Sequence, residues 1–358
     1  MNLDFFKAKA PPLFGLDISS SSVKMLEIVE AGRGAYRVER YVIEALPKDA
    51  VVDGNINILE AVADAVTRGY KRLGTRTKHV AMAVPSGAVI TKKIIVPGGL
   101  REDELEQQVE SEANQYIPFA LEEVNLDFQV VGPAPSNPEE QEVLIAATRK
   151  EKVSDRYAVA ENAGLKPLVM DVESFAQMSA LQLVISQLPG GGKEQNVAIV
   201  DVGANVMQIA VVRNEQSVYT REQAFGGNQL TTDIVSRYGM SPEEAENAKR
   251  SGGLPDDFET EVLRPFMDNL SMEVQRALQF FFTSTSYNQV DHILLAGGSA
   301  VIPGLDEVVH TRTHVPAMVA NPFAAMQTSP RVQLKRLMQD APSLIVACGL
   351  AMRRFDPV

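Results

Sequence analysis

The segment LFGLDISSSSVKMLEIV, residues 13–29, decides the fold. Apolar Leu13, Phe14 and Leu16 lead into Asp17 and a serine cluster, after which Val23, Met25, Leu26 and Ile28 resume the apolar pattern. The pattern predicts strand, turn, strand, with Asp17 at the tip. From Val197, VAIVDVGANVMQIAVV repeats the plan: an apolar strand ending in Asp201, a small-residue turn and a second apolar strand. Asp201 follows Asp17 by 184 residues in a chain of 358, the spacing of a duplicated α/β unit. A turn of small residues can bend amide N–H groups round a phosphate, and an aspartate at its mouth can hold a hydrated Mg²⁺. The two turns together point to a phosphate-bearing ligand with a hydrated Mg²⁺, held between two similar halves. Either turn alone also fits an ordinary solvated β-turn.

Working outward, a strand is predicted over Tyr36–Leu46 and an amphipathic helix with Leu59, Val62, Val66, Tyr70 and Leu73 on one face. A buried strand follows at His79–Val84. The alternation is then interrupted by a strand-like run (Val89–Val96), a Glu-rich helix (Arg101–Tyr116), a strand (Val124–Val131), a PAPSNPEE loop and a strand (Glu142–Thr148), which together predict an inserted subdomain. Lys152–Asn162 reads as a helix with Gly164 near its C-cap, and a short strand starts at Leu168. The PGGGKEQN run, Pro189–Asn196, is the expected linker between lobes. Ser241, Pro242 and Glu244 form a capping box opening a helix on which Glu246, Lys249 and Arg250 share an exposed face. A long helix from Phe258 to about Ser286 precedes a buried strand, His292–Ala296, and a Gly297–Gly298 turn. The chain closes with an apolar helix and the tail RRFDPV.

Composition narrows the function. With 45% apolar and 22% charged residues, the chain can bury a sizeable core, and its length suits two lobes. A net charge of −12 argues against nucleic acid as a partner, because that affinity comes from clustered Lys and Arg. The single cysteine, Cys348, excludes an internal disulfide and fits a reducing compartment. No apolar run approaches the roughly 20 residues of a membrane span. Residues 1–12 read as an N-terminal arm, a disordered tail more readily than a short peripheral arm. GGGKE lacks the spacing and the Ser/Thr of a P-loop, and His310 and His314 lack the glutamate of a zinc-protease helix.

Four signals occur in one order: GLDISSSSVK with Lys24 seven residues after Asp17, VAIVDVG, ENAKR, and LLAGGSAVIPG. At these residues the chain resembles the actin, sugar-kinase and seventy-kilodalton heat-shock superfamily, over most of its length. The resemblance implies an α/β, ribonuclease H-like duplicated, actin-like two-lobed fold with ATP and Mg²⁺ as cofactors. By it, Asp17 and Asp201 order Mg²⁺ through waters, and Lys24 reaches the β- and γ-phosphates. Amides of Ser19, Ser20 and Ser21, and of Gly203, Ala204 and Asn205, cradle them. Gly297, Gly298 and Ser299, with Pro303 and Gly304, match the adenosine loop; Val301 and Ile302 cover the adenine; and Glu246, Lys249 and Arg250 match the E-x-x-K-R face for ribose and adenine. Glu173, in DVESFAQMSAL, falls where relatives position the attacking water, and equally suits a helix N-terminal carboxylate. Ser19 stands where many relatives have glycine, and Ala204, Asn205 and Gln208 replace two glycines and a carboxylate. Those departures imply modest affinity and hydrolysis that is slow or absent.

The insertion after VAMAVP, the FGGNQLTTDI segment, whose Gly226, Gly227 and Asn228 join the nucleotide-binding set, and the final PSLIVACGLAM helix resemble the FtsA-related branch. ESEANQYIPFALEEV is similar to the type IV pilus assembly family of PilM. That resemblance implies lobe 1 (subdomain 1A) at 13–85 and 167–190, an inserted subdomain 1C at 86–166, and lobe 2 as 2A (195–227 and 290–358) and 2B (228–289). It implies a scaffold for fimbrium biogenesis and twitching motility, cytoplasmic and held peripherally at the inner membrane by protein partners. The partner is the N-terminal cytoplasmic tail of PilN, with other pilus-assembly proteins, motor ATPases and a homo-oligomer or ring as further expectations. Tyr116, Ile117 and Phe119 are candidate walls of the peptide groove, or ordinary core at a helix end. An FtsA-like filament-forming division protein and a weak ATPase are the alternatives.

Overall fold

A computed structural model describes residues 11–32, 34–135 and 137–356. The expected N-terminal arm therefore lies outside the described residues, save for exposed Pro11 and Pro12. In chain order the first elements are β1 (Phe14–Ile18), β2 (Ser22–Gly32), β3 (Ala35–Ala45), β4 (Val51–Val52), β5 (Asn55–Ile56), α1 (Leu59–Leu73), β6 (His79–Val84), β7 (Val89–Pro97), α2 (Glu102–Ala113), β8 (Val124–Ala134), β9 (Asn137–Arg149), α3 (Lys150–Asn162), β10 (Lys166–Val172) and α4 (Glu173–Ile185). The second half contains β11 (Val197–Val202), β12 (Met207–Arg213), β13 (Gln216–Gln223), α5 (Gly227–Tyr238), α6 (Pro242–Ser251), α7 (Arg264–Ser284), β14 (His292–Ala296), α8 (Leu305–Thr313), β15 (Ala317–Val319), β16 (Gln327–Thr328), α9 (Leu334–Asp340) and α10 (Ile345–Met352).

The chain divides into two compact units. Unit 1 takes in residues up to Met25, Val42–Phe175 and the segment from Arg353; unit 2 takes in Leu26–Tyr41 and Ala176–Met352. In unit 1 the two halves of the sequence plan are plain. β1 and β10 both run parallel to β6, with Phe14 opposite Val80 and Lys166 opposite His79. Phe14, Leu16, Met25, Val62, Val66, Met82 and Val159 fill the core between this sheet, α1 and α3. Helix α1 turns its apolar stripe inward and stops at Gly74, whose φ of 65° supplies the left-handed cap. The insertion is a separate antiparallel sheet, β7-β9-β8, covered by α2 through Ile94, Leu105, Val109, Val143 and Ile145.

The PAPSNPEE stretch is not an open loop: β8 runs through Pro133 to Ala134, and β9 starts at Asn137. Proline is tolerated there because β8 is an edge strand and Pro138 lies beyond the last β7–β9 pair, Pro97 with Glu140.

Unit 2 centres on the sheet β13-β12-β11-β14-β15, in which β11 pairs antiparallel with β12 and parallel with β14. Phe266, Leu270, Val274 and Phe281 of α7 pack on Ala198, Val200 and Leu295. Fully burying each of these aromatic side chains is worth about 2–3 kcal/mol of transfer free energy. The long helix opens with a π-helical turn, Glu259–Leu263, ahead of Pro265, a residue that cannot donate the backbone bond a regular turn needs. The PGGG run, expected as the linker, is a tight turn within unit 2 with all three glycines at positive φ; the boundary between units falls inside α4, at Phe175/Ala176. A β-carbon on Gly192 would come within 2.4 Å of Ile185, so the run is spent on packing the chain back against α4. Cys348 is fully buried in α10, and burial pushes its thiol pKa well up, which leaves it as core.

Candidate functional site

In unit 1 the turn proper is Ser20–Ser21: Ser19 N–H donates to Ser22 O at 3.0 Å, and Asp17 lies within β1 instead of at the tip. That bond uses the Ser19 amide inside the hairpin, so of the three expected phosphate-cradling amides Ser19 is withdrawn by turn closure. The Ser19 hydroxyl also folds back onto Ser22 O, 2.9 Å. Asp17 is only 5% exposed, and a carboxylate at that depth requires a partner. Lys24, one strand across, supplies it at 2.8 Å and reaches Ser19 Oγ at 3.0 Å. Asp17, Ser19 and Lys24 are thus one bonded set, with Ser20 and Ser21 half-buried beside it. Glu173 is the first residue of α4, and its charge acts on Arg156, a guanidinium buried in the same unit.

Unit 2 builds its turn differently. Asp201 near the end of β11 accepts a hydrogen bond from the Gln177 side-chain amide. Gly203 N–H closes the turn on Val206 O at 3.0 Å, so this amide too is turned inward, contrary to the expected cradle. Gly227 and Asn228 at the start of α5 donate to Gly203 O and Ala204 O at 2.9 and 2.8 Å, and Asn228 Nδ2 donates to Asn205 Oδ1 at 2.7 Å. Three glycines permit this closeness: a β-carbon on Gly226 would fall 2.4 Å from Ala204 O, one on Gly227 2.7 Å from Ser299 Oγ, and one on Gly297 2.4 Å from Asp201 Oδ1. Gly297 also has a φ of 87°.

The loop Gly297, Gly298, Ser299 coils into a 3₁₀ turn that leaves Val301 exposed, while Ile302 is half-buried against the core. Glu246, Lys249 and Arg250 do not share one exposed face. Lys249 folds inward to Gly227 O (3.2 Å) and Thr231 Oγ1 (2.8 Å), because α5 presents it with acceptors, while Arg250 stays outside on Glu246 Oε1 at 2.7 Å. Thr231 Oγ1 donates to Glu246 Oε2 at 2.8 Å. Burial works against ionisation of Glu246, but Lys249, Thr231 and Arg250 outweigh it and hold the carboxyl below its usual range. Burial pushes the Lys249 ammonium pKa down, against the pull of Glu246.

Gln177 and Thr231 are the residues that sequence patterns did not single out for the site. Gln177 stands one helical turn after Glu173, a spacing legible in DVESFAQ once the helix is known. In the insertion, Tyr116 and Phe119 are exposed beneath the cations of Lys92 and Arg149. Ile117 is 5% exposed inside the α2 core and is no groove wall; the turn after α2 rotates it inward between two outward rings. Among the described residues no three His, Cys, Asp or Glu converge on a metal position, and His314 is the left-handed C-cap of α8.

A profile of the type IV pilus assembly protein PilM family matches residues 15–355. The chain belongs to that family. The solved structure of a PilM–PilN type IV pilus biogenesis complex superposes with a TM-score of 0.79 at 26% identity, covering 97% of this chain and all of that one. The ethanolamine utilization protein EutJ of Carboxydothermus hydrogenoformans superposes at 0.57 with 16% identity, covering 98% of this chain and 93% of that one. Cell division protein FtsA of Streptococcus pneumoniae is 24% identical over 361 residues, 85% of this chain and 76% of FtsA. The fold of this PilM-family chain is actin-like, and its role lies in type IV pilus assembly. No helix among the described residues is long and apolar enough to cross a membrane.

Proposed function

We propose that this PilM-family chain is an ATP-binding scaffold of the type IV pilus machinery that takes the N-terminal cytoplasmic tail of a PilN-type partner and is held by it at the inner membrane. The observation that carries the nucleotide half is the glycine-lined corner of unit 2. There Asp201, Gly226, Gly227 and Gly297 are so crowded that a single added β-carbon collides with Asp201, the Ser299 hydroxyl or the turn backbone. Such closeness has a use where a phosphate chain must lie against backbone. Each unit offers groups that fit ATP with Mg²⁺. A hydrated Mg²⁺ needs only one or two carboxylates, and unit 2 supplies Asp201, with the inward Lys249 and Glu246 as polar groups for a ribose. Unit 1 supplies Asp17 and Lys24. When bound, Mg²⁺ would neutralise phosphate charge, and the carboxylate holding it would orient its waters. Ser20, Ser21, Ala204 and Asn205 remain as the candidate cradle amides. Gln177, a neutral amide on Asp201, is not a base, which favours binding over hydrolysis.

The partner half rests on the family and on the PilM–PilN complex. Subdomain 1C, residues 86–166, supplies the exposed rings of Tyr116 and Phe119 as contacts for an apolar tail. Calorimetric titration with ATP-Mg²⁺ and then with a PilN-type N-terminal peptide tests both halves. Binding of each, with the ATP signal lost in Asp201→Ala, is expected, and absence of both overturns the assignment. The likeness to FtsA favours a second reading, ATP-dependent filaments; electron microscopy without polymers at saturating ATP would exclude it.

A further inference from the structure

We propose that Ser86, in the neck through which the chain enters the inserted sheet, is a positioning residue for the nucleotide site: it fixes the first turn of α4, which carries Glu173 and Gln177. The proposal rests on the nucleotide-binding reading above and adds a residue to it. Helix α4 begins at Glu173, directly after Val172, whose side chain has no acceptor with which to cap a helix. The first amides of a helix lack partners within it and need acceptors from outside. A remote side chain provides one: Ser86 Oγ accepts the Ser174 N–H at 3.0 Å across 88 residues of sequence. Just before the helix, Asp171 Oδ1 accepts the N–H of its neighbour Val172 at 2.7 Å.

The hydroxyl can serve as an anchor because the neck around it is fixed on every side. Ala88 N–H donates to Pro85 O at 2.9 Å, and Thr148 Oγ1, on the strand leading back out of the insertion, donates to Ala88 O at 2.8 Å. Pro85 packs so tightly on the β4–β5 turn that a β-carbon on Gly54 would lie 2.7 Å from it. Arg156, 2% exposed, ties the same block together by donating to Ala83 O at 2.6 Å and Gly54 O at 2.8 Å. Glu173 leads the acidic groups whose charge bears on it, followed by Asp155 and Asp17. Neck, buried guanidinium and helix start form one hydrogen-bonded block, which fixes the helical turn that begins at Glu173.

The test compares wild type, Ser86→Ala and Ser86→Thr in the full chain by ATP-Mg²⁺ calorimetry and by hydrogen exchange of the peptide covering the start of α4. Ser86→Ala is expected to weaken ATP-Mg²⁺ about fivefold and to speed exchange at Ser174 and its neighbours by about tenfold, with β7–β9 unchanged and Ser86→Thr restoring both. Because Ser86 acts through the helix, its effect should be non-additive with that of Gln177→Ala. Equal ATP affinity in Ser86→Ala, an unchanged exchange rate at the helix start, failure of threonine to restore, or full additivity each overturns the proposal. A wild type that does not bind ATP-Mg²⁺ overturns the nucleotide reading and this proposal with it, whereas binding by the wild type with an indifferent Ser86→Ala overturns this one alone.

Discussion

The two Asp-bearing hairpins follow one sequence plan and are built on opposite physical principles. The unit 1 turn is made of serines and closes round its own counter-ion: Asp17 is nearly sealed from water and neutralised by Lys24. In the unit 2 turn Asp201 accepts from the neutral amide of Gln177, and the crowding about it is relieved by glycines. The first hairpin centres on an ion pair and the second on close packing that glycines permit, so the same aspartate position should respond to different kinds of damage.

The largest effect should come from splitting the ion pair. Lys24→Met leaves Asp17 buried and uncompensated, and should lower unfolding stability by about 3–4 kcal/mol in chemical denaturation, with most of it regained in the Asp17→Asn/Lys24→Met double variant. A double variant no better than the single one would break the electrostatic half of the comparison. Nearly as large, Gly297→Ala places a β-carbon 2.4 Å from Asp201 Oδ1 in a left-handed conformation, and should cost about 3 kcal/mol together with ATP binding. Ser20→Ala in the other turn should change stability by less than about 0.5 kcal/mol, and parity between the two would break the steric half.

Gln177→Ala removes a hydrogen bond to a carboxylate and should weaken ATP-Mg²⁺ about tenfold by calorimetry while leaving the melting temperature within a few degrees. The smallest effect concerns pH. The Glu246 carboxyl sits below its unfolded value of 4.5, so its contribution is fully present above that pH and is lost as pH falls through the depressed folded value. Glu246 is about one-third exposed and solvent screens it. Glu246→Gln should therefore cost about 0.5 kcal/mol in urea midpoints at neutral pH, and progressively less as pH falls below 4.5.

Much of this was legible before any coordinates. The strand at His79–Val84 and that at His292–Ala296 agree to the residue, because continuous apolar runs bounded by turn residues leave little choice. The Ser241 capping box was legible for a similar reason: its hydrogen bonds are local, and both form. The departures from the local pattern depend on distant partners. PAPSNPEE looked like a loop because its prolines weigh against a strand, and only the edge position of β8 makes them harmless. Lys249 looked exposed on its own helix and is drawn inward by Gly227 and Thr231 of another. Ile117 offered no signal separating it from Tyr116 and Phe119.

By itself, the sequence determined that two Asp-bearing hairpins, an inserted segment and a GGxxxxPG loop occur in one order, since strand periodicity, turn residues and helix caps act over a few residues. The tertiary structure alone decided what each aspartate touches. Lys24, Gln177, Gly297 and Ser86 take their meaning from groups brought within about 3 Å by sheet pairing and helix docking, and no local rule of propensity encodes which side chain will arrive.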